Sequence, residues 1–262
     1  MIINENIDHG KAFDWGRASE DYAKFRDIYP EEFYKKITEA GLCIKGQRVL
    51  DLGTGTGVLP RNLYKYGAEF TGADISENQI MQARRLSKEA GMDIEYIVSS
   101  AEDIDFPDGN FDVITACQCY VYFDKSKLFP KIYKILKDAG YFCILFMAWL
   151  PEESEIASKS EGFVLKYNPS WSAHGMKRFI YDFPQEAEGL FEVSNSIYYD
   201  IPVFFTRESW HGRIKACRGI GASSLSPTEI VAWEKEHIEY VNMLPETFEI
   251  PHFASMLNLR RI

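Results

Sequence analysis

A glycine-rich turn directly after an apolar run is the part of this 262-residue chain with the most chemical content. The run Arg48–Leu52 reads as a buried strand. Three glycines follow it at alternate positions, Gly53, Gly55 and Gly57, and a helical pattern begins at Val58. Glycine lets a ligand approach the backbone closely, because it has no Cβ and tolerates positive φ. The free amides of a helix N-terminus add a partly positive end. The spacing therefore predicts a nucleotide-type cofactor site.

The spacing of these glycines separates two kinds of nucleotide site. A dinucleotide fingerprint, G-x-G-x-x-G, needs a small residue at the position of Val58, whereas here the third glycine comes one residue earlier, at Gly57. A phosphate-binding loop of the Walker type is excluded, because no Gly-Lys-Ser/Thr follows. A nucleotide-dependent oxidoreductase is therefore a disfavoured alternative.

A second strand–helix unit follows the glycine turn. Glu69–Ala73 predicts a strand that ends at Asp74, and Ser76–Ala90 predicts an amphipathic helix with Ser76 as its N-cap. Asp74 comes about 20 residues after the glycine turn, where a Rossmann-like fold places a carboxylate that accepts ribose hydroxyls. The alternative is that Asp74 only opens the turn before the helix. The combined pattern favours a ribose contact.

These motifs resemble those of the class I S-adenosylmethionine-dependent methyltransferases. Asp51 and the glycines are similar to motif I of that family, and the segment Ser100–Pro107 resembles the part that closes over the adenine. The resemblance implies S-adenosyl-L-methionine as the cofactor. It assigns cofactor binding to Tyr22, Arg26, Asp51, Gly53, Thr54, Gly55, Gly57, Asp74, Ile75, Ala101, Glu102, Cys117 and Gln118.

The segment after the predicted fourth strand, Asn110–Ala116, carries further polar and aromatic side chains. Ligands bind at the carboxyl ends of strands in open α/β sheets. By resemblance, Gln118 contacts the methionine part of the cofactor, and Tyr120 or Tyr122 faces the sulfonium. An aromatic ring suits that place, because its quadrupole attracts a desolvated cation. The alternative is that one of these two tyrosines belongs to the core.

The resemblance also implies the fold. We expect a Rossmann-like, doubly wound α/β sheet of seven strands with an antiparallel last strand. We expect a single methyltransferase domain, 1–262, divided into an N-terminal helical lid (1–46), a cofactor-binding core (47–150), a substrate-cover insertion (151–190) and C-terminal strands and helices (191–262). In the lid, Tyr22 and Arg26 are four residues apart, so a helix places them on one face.

Composition and charge limit the partners. The chain has 29 basic and 39 acidic residues, a formal net charge of −10 that opposes binding to a phosphate backbone. We therefore expect a small-molecule acceptor and no nucleic acid. The five cysteines lack zinc-site spacing, so no metal is expected. The longest apolar run, Tyr141–Leu150, is too short to cross a membrane, and the N-terminus lacks signal-peptide features. We expect a cytoplasmic protein, a monomer or a homodimer, with no membrane partner.

No residue is singled out as the catalytic base. If an oxygen or nitrogen acceptor must lose a proton, the candidates are Tyr22, Tyr120, His174 and His211. We expect His237 to lie on the surface. The alternative to an enzyme is a non-catalytic S-adenosylmethionine-binding or partner-binding protein on the same fold. An open cavity beside the methyl group would favour the enzyme.

Overall fold

A computed structural model describes residues 2–262 as an α/β protein. The strands are β1 (Arg48–Leu52), β2 (Glu69–Asp74), β3 (Glu95–Val98), β4 (Phe111–Cys117), β5 (Leu136–Trp149), β6 (Phe191–Thr206) and β7 (Thr247–Arg261). The α-helices are α1 (Ser19–Phe25), α2 (Glu31–Glu39), α3 (Val58–Leu63), α4 (Glu77–Glu89), α5 (Lys125–Ile135), α6 (Glu155–Tyr167), α7 (Arg207–Lys215) and α8 (Pro227–Val241).

The seven strands form one sheet in the order β3-β2-β1-β4-β5-β7-β6. The neighbours from β3 through β5 are parallel, and the last strands are antiparallel. This confirms the predicted fold class, including the antiparallel last strand. The order reverses at β1, which pairs with β2 on one side and β4 on the other.

The chain divides into two compact units. The first, here called the glycine-loop unit, contains Tyr29–Met147, Phe179–Tyr199 and Ala254–Ile262. The second, here called the helical unit, contains the N-terminal residues through Ile28, Ala148–Arg178 and Asp200–Phe253. The single methyltransferase domain expected from the sequence stays a prediction.

One hydrophobic cluster of the glycine-loop unit combines buried side chains of β1, β4 and α5. Leu50 and Leu52 of β1 lie on the same face of the strand, and both are fully buried. Helix α5 packs against the same core through Leu128, Phe129 and Ile132. The alternation of a strand puts every second side chain on one face. Asp51, between the two leucines, therefore points to the opposite face.

Helix starts follow the sequence signals. The Ser76 hydroxyl accepts a hydrogen bond from the Gln79 amide at the start of α4. Thr206 and Ser226 form capping boxes at the starts of α7 and α8. Such caps pair amides that the first helical turn leaves without partners. Within residues 2–262, no helix is long and apolar enough to cross a membrane.

Candidate cofactor site

The candidate site lies at the carboxyl edge of the parallel strands in the glycine-loop unit. Gly53 follows β1, Asp74 ends β2 and Cys117 ends β4. Because β1 pairs in parallel with both neighbours, these three strand ends meet at one edge. Ligands bind at this edge of an open sheet, at the point where the strand order reverses.

The glycine loop requires its glycines for their backbone conformation. Gly53, Gly55 and Gly57 have φ of +60°, +56° and +73°, in the left-handed region. The Gly57 amide donates to the Thr54 carbonyl at 2.9 Å, and the Thr54 amide donates to the Ala73 carbonyl at 2.9 Å. These bonds close the turn and fix it to β2. A side chain at any of the three positions would strain the turn.

Two of these glycines also leave space for the protein's own side chains. A Cβ on Gly53 would lie 2.7 Å from both Cβ and Sγ of Cys119. A Cβ on Gly57 would overlap the hydroxyl oxygen of Tyr96. The glycine spacing by itself predicts only positive φ and a close approach of a ligand. Packing against Cys119 and Tyr96 is a second cause that no sequence signal indicated, because both contacts are made by distant parts of the chain.

Asp74 ties the second strand to the glycine loop. Its Oδ2 accepts from the Gly55 amide at 2.8 Å, and its Oδ1 accepts from the Ser76 amide at 2.8 Å. The residue is only partly buried, and each carboxylate oxygen has a second acceptor position. Burial raises the pKa of Asp74, and the two amide hydrogen bonds counter that rise. The carboxylate is thus oriented by the backbone and still able to accept two hydroxyls.

Asp51 is a buried carboxylate beneath the loop. Its side chain is 2% exposed, and Oδ1 accepts from the Thr115 hydroxyl at 2.6 Å. Burial raises the pKa of Asp51 to about 6, although the hydrogen bond from Thr115 opposes the shift. Asp51 therefore carries its charge at neutral pH in a place where that charge is poorly solvated.

The predicted adenine-side residues lie in the loop after β3. Ala101 is buried in the core, and Glu102 is partly exposed. Oε1 of Glu102 accepts from the amide of Asp124 at 2.8 Å, which ties the loop after β3 to the start of α5. Ile75, directly after Asp74, is 60% exposed. This exposed apolar side chain next to Asp74 is available for contact with a flat ring.

The segment after β4 has a strained backbone. Gln118 has φ of +67°, which is uncommon for a residue with a side chain. Its amide donates to the Leu145 carbonyl at 3.0 Å, and its Nε2 donates to the Met147 carbonyl at 2.5 Å. Cys117 is partly exposed, and its thiol lies 3.7 Å from the Tyr29 hydroxyl. Strain of this kind persists where surrounding contacts hold it, often at functional sites.

Comparison with known proteins adds to this geometry. A family model described as a methyltransferase domain matches residues 50–144. A ubiquinone biosynthesis O-methyltransferase from Pseudomonas entomophila is 26% identical over 185 residues, covering 67% of this chain and 78% of that protein. A Dictyostelium discoideum protein named as a methyltransferase is 30% identical over 130 residues, covering 50% of this chain and 47% of that protein. The match thus spans about half the length of the Dictyostelium protein.

A solved structure of similar fold comes from Bacillus halodurans and is described as a methyltransferase. It superposes with a TM-score of 0.53 at 15% identity, covering 87% of this chain and 98% of that one. At that identity the likeness shows the fold, and the domain match is confined to residues 50–144. Residues 50–144 of the chain are therefore similar to a methyltransferase domain, which agrees with the resemblance to the class I S-adenosylmethionine-dependent methyltransferases. The domain match and the named relatives support the predicted family, cofactor and enzyme class.

Four of the predicted site residues lie in the helical unit. Among these, Tyr22 and Arg26 are paired, because the Arg26 guanidinium lies 4.8 Å from the centre of the Tyr22 ring and Nη2 is 3.5 Å from its hydroxyl. Tyr22 lies within α1, and Arg26 is the C-cap residue of that helix. The shared helical face is therefore present. His174 is exposed, with its ring 6.2 Å from that of Trp171.

The fourth of these, His211, already has a hydrogen-bond partner within the helical unit. Its Nδ1 is 2.8 Å from Nδ1 of His237, and Nε2 of His237 is 3.1 Å from the Ser160 hydroxyl. His237 is fully buried, so the expectation of a surface position was wrong. His237 lies on the face of α8 that packs against α6. The polar atoms of its ring need hydrogen-bond partners there, because they are buried. Burial lowers the pKa of both histidines, to about 3 for His237.

Tyr120 lies in the core of the glycine-loop unit. It is 3% exposed and packs against Tyr181, with ring centres 5.2 Å apart. Burial raises the pKa of Tyr120 well above that of a free phenol. A phenol held protonated is a poor general base. Tyr120 is therefore the one of the two tyrosines, Tyr120 and Tyr122, that belongs to the core.

Proposed function

We propose that this methyltransferase transfers the methyl group of S-adenosylmethionine to a small-molecule acceptor at the carboxyl edge of β1, β2 and β4. The observation that carries the proposal is Asp74. Its two oxygens are oriented by the Gly55 and Ser76 amides at 2.8 Å each, and each oxygen keeps capacity for a ribose hydroxyl. A carboxylate held in this way fits a nucleoside, in addition to tying β2 to the glycine loop.

The residues assigned to the cofactor have separate tasks in this proposal. The glycine loop presents its backbone, Asp74 binds the ribose, and the loop after β3 holds the adenine. Gln118 positions the methionine part, and Arg26 pairs with its carboxylate. The full set proposed for the cofactor is Tyr22, Arg26, Asp51, Gly53, Thr54, Gly55, Gly57, Asp74, Ile75, Ala101, Glu102, Cys117 and Gln118.

Bound S-adenosylmethionine supplies an electrophilic methyl group. The chain's contribution is to hold the acceptor atom in line with that methyl group, because orientation alone can supply much of the rate. An acceptor whose nucleophile carries a proton needs a base or a water path. His174 is the candidate that the structure leaves exposed, and His211 is bonded to His237 instead.

The kind of acceptor and the setting are part of the proposal. The name of the Pseudomonas relative, which acts in ubiquinone biosynthesis, supports a small organic acceptor. The net charge of −10 supports the absence of a nucleic-acid partner. The five cysteines are all free, which supports a reducing compartment such as the bacterial cytoplasm. We further propose a monomer or a homodimer.

The test is formation of S-adenosylhomocysteine from S-adenosylmethionine with a library of phenols, amines, thiols and carboxylic acids. We expect one acceptor class to support turnover, and Asp74→Ala to abolish it at limiting cofactor. Asp93→Ala is the matched control, because Asp93 is an exposed carboxylate that precedes β3 and is not among the proposed cofactor residues. Cofactor binding without turnover on any acceptor would favour the non-catalytic binding protein.

A further inference from the structure

The glycine loop rests on a side chain that lies outside its motif, Tyr96 of β3. Tyr96 is 5% exposed. A Cβ on Gly57 would overlap the Tyr96 hydroxyl oxygen and lie 3.0 Å from Cζ. A Cβ on Gly72, which pairs directly with Tyr96 between β2 and β3, would lie 2.8 Å from Cδ1. The ring therefore fills the space that these two glycines leave open.

Helix α4 holds Tyr96 at both ends. The Tyr96 hydroxyl is 2.9 Å from the Ser87 hydroxyl, and Arg84 donates from Nη2 to the Tyr96 carbonyl at 2.6 Å. Ser87 and Arg84 are three residues apart, so they lie on one face of α4. Ser87 is buried. The ring cannot move aside without breaking a buried hydrogen bond, so it acts as a fixed support beneath Gly57.

We propose that Tyr96 is a positioning residue for the cofactor. Its ring fixes the position of the glycine loop and does not itself touch the ligand. The Gly57 amide closes the turn on the Thr54 carbonyl at 2.9 Å, and Gly55 lies within that turn. A displaced Gly57 therefore displaces Gly55 and its bond to Asp74. The inference rests on the proposed function, because the position of the loop affects binding only if the loop holds a cofactor.

The experiment is calorimetric titration of S-adenosylhomocysteine into four proteins, the wild type, Gly57→Ala, Tyr96→Phe and the double variant. We expect Gly57→Ala to raise Kd by about tenfold or more, since its new Cβ meets the tyrosine hydroxyl. Tyr96→Phe removes that oxygen and keeps the ring. In the double variant, the added Cβ no longer meets the hydroxyl oxygen, so Gly57→Ala should raise Kd by clearly less than it does in the wild-type background, which is non-additive coupling between neighbours. The φ of +73° at Gly57 and the Cζ atom 3.0 Å from the added Cβ leave part of the effect in place.

Two controls separate positioning from strain and from stability. Gly91→Ala places a side chain at φ of +66° with nothing within 4 Å of its Cβ, and it should leave Kd unchanged. The thermal midpoint of every variant is measured as well. A purely structural role for Tyr96 would lower that midpoint and leave the Kd of the folded protein untouched, and the rescue would not occur.

Equal weakening by Gly57→Ala in both backgrounds would overturn the positioning role, and so would a Gly57→Ala variant that binds like the wild type. In both cases the proposed function would stand, because the wild type would still bind. A wild-type protein that binds neither S-adenosylhomocysteine nor S-adenosylmethionine would overturn the function and the inference together.

Discussion

The hydroxyl of Thr115 donates to the carboxylate of Asp51 at 2.6 Å, and this bond joins β4 to β1 in the buried layer beneath the glycine loop. Both residues are almost fully buried. One hydrogen bond does not replace the solvation that a carboxylate loses on burial, which is why its pKa rises to about 6. Ionised Asp51 in this buried position therefore lowers the free energy of unfolding.

We predict that Asp51→Asn stabilises the folded protein at pH 8. A folded pKa above the unfolded value gives stability that is present at low pH and is lost as pH rises through about 6. A shift from 3.8 to about 6 corresponds to about 3 kcal/mol at pH 8. Urea unfolding at pH 8 and pH 4 measures it. The gain should vanish at pH 4, while cofactor affinity falls. Equal differences at the two pH values would contradict the raised pKa.

The buried histidines predict the opposite pH dependence for the helical unit. His237 and His252 have pKa values lowered to about 3 by burial. Their neutral forms contribute stability above about pH 6.5 that is lost as pH falls towards 3, because the unfolded chain binds their protons first. Removing one such group, by His237→Asn, should reduce the slope of stability against pH between 6 and 4 by about 1.4 kcal/mol per unit.

His9→Asn is the control for this slope. His9 is exposed and has φ of +54°, which asparagine tolerates. A change of slope in His237→Asn that is absent from His9→Asn would assign the change to the buried ring. The same slope in His237→Asn as in the wild type would mean that His237 titrates normally in the folded protein.

Gly55→Val should abolish cofactor binding and leave the fold largely intact. Gly55 has φ of +56°, and a branched side chain there would strain the turn and enter the space of the ligand. Calorimetry measures binding, and circular dichroism checks the fold. Gly91→Val is the matched control, with similar backbone strain at φ of +66° and open space around it. A Gly55→Val protein that binds normally would show that the ligand does not approach this backbone.

The N-terminal segment Phe13–Pro30 should exchange amide hydrogens more slowly when cofactor is added, because a lid that excludes water is ordered by its ligand. Arg26→Ala should weaken cofactor binding. Arg17→Ala is a poor comparison, because the Arg17 guanidinium donates to the carbonyls of Ser223 and Leu225. Lys24→Ala on the same helix is better, since Lys24 is exposed. If Arg26→Ala and Lys24→Ala change cofactor affinity equally and amide exchange does not slow, the segment is a surface helix and not a lid.

Much of the fold could be predicted because its signals are local. Apolar runs gave β1 and β4, and side-chain caps at Ser76, Thr206 and Ser226 gave the starts of three helices. Each signal depends on residues a few positions apart. The glycine spacing likewise depends only on the turn itself.

What could not be predicted depends on packing between distant segments. The burial of His237 follows from α8 packing on α6, and its sequence neighbours are mostly charged or polar. The overlap of Gly57 with Tyr96 joins two positions that are far apart in the chain. A polar residue in a charged segment reads as exposed unless the partner helix is known.

Asp74 gives the most direct test of the account, by calorimetric titration of the wild type and Asp74→Ala with S-adenosylmethionine, S-adenosylhomocysteine and NAD. We predict that the wild type binds the first two compounds and not NAD. Asp74→Ala should lose about 1.5–3 kcal/mol, the range for hydrogen bonds to charged groups. A wild-type protein that ignores S-adenosylmethionine and S-adenosylhomocysteine but binds NAD would contradict the account.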